Sequence, residues 1–188
     1  MKKFASVMVA LAMLAGSLFA EDLKSGLQKD AKVGPFYVTK VAGPEDGVSV
    51  GQNLCYRCKY GAKPQVMVFA RTADERLATL VKKLDDTVGK NEEKQLKAFV
   101  NIMADSKDAA DASAKAFAAK AGSKNVPIVV PNEFANGPDN YGLNPKADLT
   151  VLIVSGGTVV SNHAYEKDAY CESCIESIVK DVVAAVTK

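Results

Sequence analysis

The sequence predicts an α/β domain with a mostly parallel central sheet, helices on both faces and a C-terminal β-hairpin. Two observations carry this expectation. Short apolar, β-branched runs alternate along the chain with longer segments whose apolar residues recur at helical spacing, the pattern of a sheet covered by crossover helices. The last two extended runs are joined by Ser155-Gly156-Gly157, a turn too short for a crossover.

The elements follow in order. Residues 21–35 are polar and lysine-rich and read as a frayed or helical lead-in. Phe36 to Val41 alternates and is rich in aromatic and β-branched residues, which predicts a strand. Gly43, Pro44, Gly47, Gly51, Gly61 and Pro64 then punctuate a long loop or small hairpin. Gln65 to Ala70 is a nearly unbroken apolar run and predicts a buried central strand. Leu77, Leu80, Val81, Leu84 and Val88 share one helical face over residues 73–88, with Gly89 as the expected stop.

Leu96 to Met103 reads as a further strand, and the alanine-rich stretch from Asp108 to Ala121 as a helix ended by Gly122. Val126 to Val130 predicts a short strand, placed at a sheet edge by Pro127. A loop from Pro131 to Pro145 leads to the hairpin, Leu149–Val154 and Thr158–Asn162. The final helix is expected to start near Asp168, with Ile175, Ile178, Val179, Val182, Val183 and Val186 on one face.

The first twenty residues have a separate role. Lys2 and Lys3, an apolar run from Phe4 to Leu14, and the small residues Ala15, Gly16 and Ser17 are ordered as in a secretory signal peptide, cleaved after Ala20 or after Ser17. The run falls short of the ~20 apolar residues that span a membrane. An exported protein, periplasmic or secreted and without a membrane partner after cleavage, is the expectation. Of the 24 basic residues, loss of Lys2 and Lys3 leaves 22 against 22 acidic ones. A neutral mature chain has no basic field for nucleic acid. Its length of ~168 residues suits one domain, residues 36–188, that does not need disulfides to fold.

The order of elements resembles the thioredoxin-like fold superfamily over roughly residues 36–187. Lys63-Pro64-Gln65-Val66-Met67-Val68-Phe69 is similar to the lysine-proline entry into the central strand of the peroxiredoxin and alkyl hydroperoxide reductase branch. Asn140-Tyr141-Gly142-Leu143, Leu149 to Val154 and Gly156 to Val160 are similar to its tyrosine-glycine turn and terminal hairpin. The resemblance implies the fold, and redox chemistry of thiols, with departures. Where that family carries its reactive cysteine, after the central strand, this chain has Arg71-Thr72-Ala73-Asp74-Glu75. Leu149 stands where the family has a proline before the hairpin strand.

All four cysteines fall in two Cys-x-x-Cys pairs, Cys55/Cys58 and Cys171/Cys174. Such a pair can cycle between dithiol and disulfide or supply half of a tetrahedral metal site. Arg57 and Lys59 flank the first pair, with Lys63 close by, and cations stabilise a thiolate, so Cys55 and Cys58 are the expected catalytic pair. Cys171 and Cys174 fall in the first turns of the last helix, whose dipole favours an anion, but Glu166, Asp168, Glu172 and Glu176 oppose it. The first pair is therefore expected to be the more acidic. The second is a further redox pair or a structural bridge.

Three functions follow. The first is thiol–disulfide exchange or electron transfer by a thiol-disulfide oxidoreductase acting on protein thiols or disulfides, with no cofactor. The second is a module binding zinc or iron through Cys55, Cys58, Cys171 and Cys174, against which the ~112-residue gap between pairs speaks. The third is an inactive scaffold held by structural disulfides. In the chain-entropy model a bridge within Cys-x-x-Cys contributes ~2 kcal/mol and a Cys55–Cys171 bridge nearer ~5 kcal/mol. The single histidine, His163, is a candidate to orient a catalytic group or ligate a metal, or is a surface residue. No Gly-x-Ser-x-Gly elbow or phosphate-binding loop is present, and neither pair is followed by the histidine of a haem site.

Overall fold

Six consecutive buried residues, Gln65–Ala70, form the strand around which the protein is built. Side chains alternate across a strand, so Val66, Val68 and Ala70 enter one apolar cluster while Met67 and Phe69 enter another. The computed structural model describes residues 23–187; the expected signal peptide, 1–20, lies outside them.

In chain order the elements are β1 (Val38–Ala42), β2 (Asn53–Leu54), α1 (Tyr56–Tyr60), β3 (Gln65–Ala70), α2 (Glu75–Lys90), β4 (Lys97–Ile102), α3 (Lys107–Ala121), β5 (Ile128–Pro131), β6 (Leu149–Ser155), β7 (Thr158–Tyr165) and α4 (Glu172–Val186). The seven strands form one sheet in the order β2-β1-β5-β4-β3-β6-β7. α2, α3 and α4 cover one face, on the cluster of Val66, Val68 and Ala70. The other face is covered by α1 and the N-terminal segment, through Tyr56, Tyr60, Val33 and Phe36. Helices thus lie on both faces, unequally.

The sheet is mixed, which corrects the expectation of a mostly parallel one. Among the described residues only β3/β4 and β4/β5 pair in parallel. β1/β2, β1/β5, β3/β6 and β6/β7 are antiparallel. The two parallel pairs are those joined by the crossover helices α2 and α3. Residues 132–148 instead stay at the end of the sheet where β5 stops, so β6 must enter in the reverse direction, with Leu149 opposite Ala70.

Four smaller expectations change. β5 is interior, between β1 and β4, because Pro127 precedes the strand and needs no donor there; its carbonyl accepts from the Val100 amide. α2 runs through Gly89 and stops at Asn91, whose side chain binds the Thr87 carbonyl. α4 starts at Glu172, not near Asp168, where a positive φ of 65° breaks the helical path. The described part of the lead-in, residues 23–35, is neither frayed nor helical. Asp30 and Val33 donate amides to the carbonyls of Val159 and Gly157, and buried Ser25 shares a 2.6 Å hydrogen bond with Thr150. This segment covers part of the β7 edge that would otherwise expose unpaired backbone.

Candidate functional site: two cysteine pairs on opposite faces

The glycine-punctuated segment expected as a long loop or small hairpin contains β2, which pairs antiparallel with β1, and the five-residue α1, which the sequence pattern does not reveal. So short a helix offers too few positions for periodicity to register. Tyr56 and Tyr60 are its buried face. Tyr56 stacks on Phe99 at 5.7 Å between ring centroids, and Tyr60 meets the same ring edge-on at 6.1 Å. Cys55 is the N-cap of α1, and its Sγ accepts the Cys58 amide at 3.0 Å. Cys55 and Cys58 are joined in a disulfide. Cys55 is buried at 8 % exposure, whereas Cys58 is exposed.

The flanking cations do not all face the sulfurs. The Arg57 guanidinium donates from Nε to the Val33 carbonyl at 3.2 Å, tying α1 to the N-terminal segment. Lys59 is exposed and lines a groove of about 440 Å³ with Tyr60, Lys63, Glu92 and Lys97. The loop before α1 is held by Lys40, only 2 % exposed, whose ammonium donates to the Pro44 and Val48 carbonyls and to Asp46. Burial alone would raise the Asp46 pKa. The bonds from Lys40 and the Val48 amide, with the charge of Lys40, outweigh it and hold the carboxyl below its usual range.

Cys171 is the N-cap of α4, exposed, and Cys174 lies one turn on, half-buried. Both are free thiols, with Sγ atoms 2.7 Å apart and Cys171 Sγ also 3.0 Å from the Ser173 hydroxyl. Hydrogen bonds with the Cys174 thiol and the Ser173 hydroxyl lead the effects that bring the Cys171 pKa down to about 7. The acidic residues expected to oppose this are partly neutralised: Arg76 pairs with Asp168, and Lys83 lies 3.8 Å from Glu176.

The α4 pair is anchored to the corner where the resembling family has its reactive cysteine. Asp74 caps α2 by accepting the Leu77 amide, pairs with Arg76, and accepts from the Tyr170 hydroxyl at 3.2 Å. Arg76 also lies over the Tyr170 ring, 5.0 Å from its centroid. Arg71 and Thr72 are used structurally, Arg71 binding the Ala135 and Ala147 carbonyls and Thr72 the Asp148 carboxylate. Burial would raise the Asp74 pKa, but the Leu77 amide, Arg76 and Tyr170 together lower it. A carboxylate with a depressed folded pKa contributes stability above its ordinary pKa of ~3.9, lost as pH falls through the folded value. Asp74→Asn should therefore reduce the urea midpoint at pH 7, and the deficit should close by about pH 2–3. An equal deficit at both pH values would show that the charge plays no part.

The structure does not bring the four cysteines together. Cys174 packs with α4 against Val66, Val68 and Ala70, whereas α1 packs against Met67, Phe69 and Phe99, so the sheet separates the pairs. Neither a four-cysteine metal site nor a Cys55–Cys171 bridge forms. Among the described residues no group of three or more His, Cys, Asp and Glu side chains is placed to hold a metal. No hydrogen bond among the described residues joins His163 to a cysteine; its partners are Asp181 and Ser161. Its Nε2 lies 3.0 Å from Asp181 and 3.3 Å from Ser161, linking β7 to α4. Among the described residues, no helix is long and apolar enough to cross a membrane.

No family model matches the chain, and no curated protein matches it. Solved structures do. A protein of Chlorobium tepidum described as the thiol:disulfide interchange protein DsbE superposes with a TM-score of 0.62 at 13 % identity, over 85 % of this chain and 99 % of that one. AhpC of Enterococcus faecalis gives 0.56 at 14 % identity over 83 % and 90 %. A yeast mitochondrial 1-Cys peroxiredoxin gives 0.57 at 10 % identity over 84 % and 76 %. The chain has a thioredoxin-like fold.

Proposed function

We propose that this thioredoxin-like chain is an exported thiol–disulfide oxidoreductase acting on protein thiols through Cys55–Cys58. The observation that carries the reading is the asymmetry of that disulfide, one cysteine buried and the other exposed. The residues at the start of the chain support export, to a compartment where disulfides persist.

A partner thiolate attacks Sγ of the exposed Cys58. The Cys55–Cys58 bond breaks, a partner–Cys58 disulfide forms, and Cys55 departs as a thiolate. That leaving group is stabilised where it forms, because Cys55 Sγ already accepts the Cys58 amide. A second partner thiolate then attacks the partner sulfur of the mixed disulfide and releases Cys58. Two partner thiols become one disulfide, two electrons pass to the pair, and two protons are shed by the partner and taken up by Cys55 and Cys58. The groove beside α1, with Lys59 and Lys63, supports a docking path for the partner chain.

The test uses a background with both Cys171 and Cys174 changed to serine. In that background Cys55→Ser should trap a mixed disulfide with 2-hydroxyethyl disulfide, and Cys58→Ser should react at least tenfold more slowly. Equal rates would remove the assigned polarity. No adduct at either position would remove exchange at this pair.

A further inference from the structure

We infer that Cys171 and Cys174 form a second, independent thiol–disulfide centre, a dithiol that reduces protein disulfides, with Cys171 as the attacking thiolate and Cys174 as the resolving thiol. It shares with the reading above only its class of chemistry and stands or falls on different cysteines.

Four features of the geometry carry it. The two sulfurs are already at 2.7 Å, so closing to a disulfide bond of about 2.05 Å needs only a small movement. Their exposures differ in the sense that the roles require: Cys171 is open to an incoming partner, while Cys174 is half-buried against the helical core, sheltered until it resolves. Cys171 caps the fifteen-residue α4, where unpaired amides and the helix dipole favour an anion, and its lowered pKa agrees. The site is also rigidly backed. The adjacent Tyr170 is 2 % exposed and is fixed to α2 by its bond to Asp74 and by Arg76 across its ring.

The step balances without any further agent. Cys171 thiolate attacks one sulfur of the substrate disulfide, forming a Cys171–substrate bond and releasing the other substrate sulfur as a thiolate. Cys174, deprotonated, then attacks Cys171 Sγ, forming the Cys171–Cys174 bond and releasing the second substrate thiolate. The protons given up by the dithiol are taken up by the two substrate thiols. The protein dithiol is oxidised by two electrons and the substrate disulfide is reduced. A dithiol reductant of the same compartment restores the pair. Since the sheet lies between the two centres, electrons do not pass directly from Cys171/Cys174 to Cys55–Cys58, and each pair meets its own partner.

The experiment keeps the two centres apart. In full-length protein with both Cys55 and Cys58 changed to serine, Cys174→Ser should trap a mixed disulfide with 2-hydroxyethyl disulfide at Cys171. Cys171→Ser should trap at least tenfold less at Cys174, and iodoacetamide at pH 7 should label Cys171 at least tenfold faster than Cys174. Cys174→Ala serves as a second variant, and circular dichroism melts of all variants establish that the fold is kept. With both Cys171 and Cys174 intact, the reaction should end in an internal disulfide with two equivalents of mercaptoethanol released. Faster labelling and trapping at Cys174 would overturn the assigned roles. A folded protein in which neither cysteine is trapped would overturn the centre, whatever the result at Cys55 and Cys58.

Discussion

Lys40→Met should destabilise the protein by about 3–5 kcal/mol, the effect of breaking a buried ion pair by removing one partner. Lys40 holds three acceptors, the carbonyls of Pro44 and Val48 and the Asp46 carboxylate, at 2.5, 2.8 and 2.8 Å. Methionine fills the same space and donates to none of them, leaving Asp46 with only the Val48 amide. Lost stability of that size is a large share of the 5–15 kcal/mol typical of a whole domain. The effect also reaches the chemistry, because the loop that Lys40 fastens leads directly to Cys55. Urea unfolding measures the first consequence, and the rate at which a small thiol reduces Cys55–Cys58 measures the second; both midpoint and protection should fall. Adding Asp46→Asn should recover part of the loss, since the stranded charge is then gone. A single variant within 1 kcal/mol of wild type would show that the pair contributes little.

Phe99→Ala should cost about 3–5 kcal/mol, as truncation of a buried aromatic does when the surroundings cannot collapse. Phe99 is 0 % exposed, and three rings rest on it: Phe36 at 5.9 Å, Tyr56 at 5.7 Å and Tyr60 at 6.1 Å. Two of the three belong to α1, a helix too short to persist without tertiary support. The variant should therefore melt about 10 °C lower, and amide exchange should accelerate in α1 more than in α3. Phe99→Leu, which keeps most of the volume, should lose about 1–1.5 kcal/mol. Uniform acceleration across the protein would mean that α1 is not the element Phe99 supports.

Much of the fold was legible because it is written in local patterns. The apolar run at Gln65–Ala70, the helical spacing of Leu77, Leu80, Val81 and Leu84, the alanine-rich stretch ending at Gly122 and the Ser155-Gly156-Gly157 turn each report the element they form. Sheet direction was less legible. Strand–helix alternation counts crossovers correctly, but whether a loop such as 132–148 crosses a face or stays at one end depends on where its ends are held. Pro127 illustrates the same limit: a missing amide donor marks an edge only if the proline lies within the paired stretch, and here it lies just before it.

The cysteines divide in the same way. Their number, their pairing at Cys-x-x-Cys spacing and the export-like start of the chain belong to the sequence by itself, since composition and short spacing need no partner elsewhere. Which cysteine is exposed, which acids are neutralised by Arg76 and Lys83, and that a sheet stands between Cys55/Cys58 and Cys171/Cys174 were decided only by tertiary structure. The physical reason is one of range. Covalent spacing and periodicity act over a few residues, whereas burial, charge pairing and the face on which a helix packs are set by contacts between segments far apart in the chain.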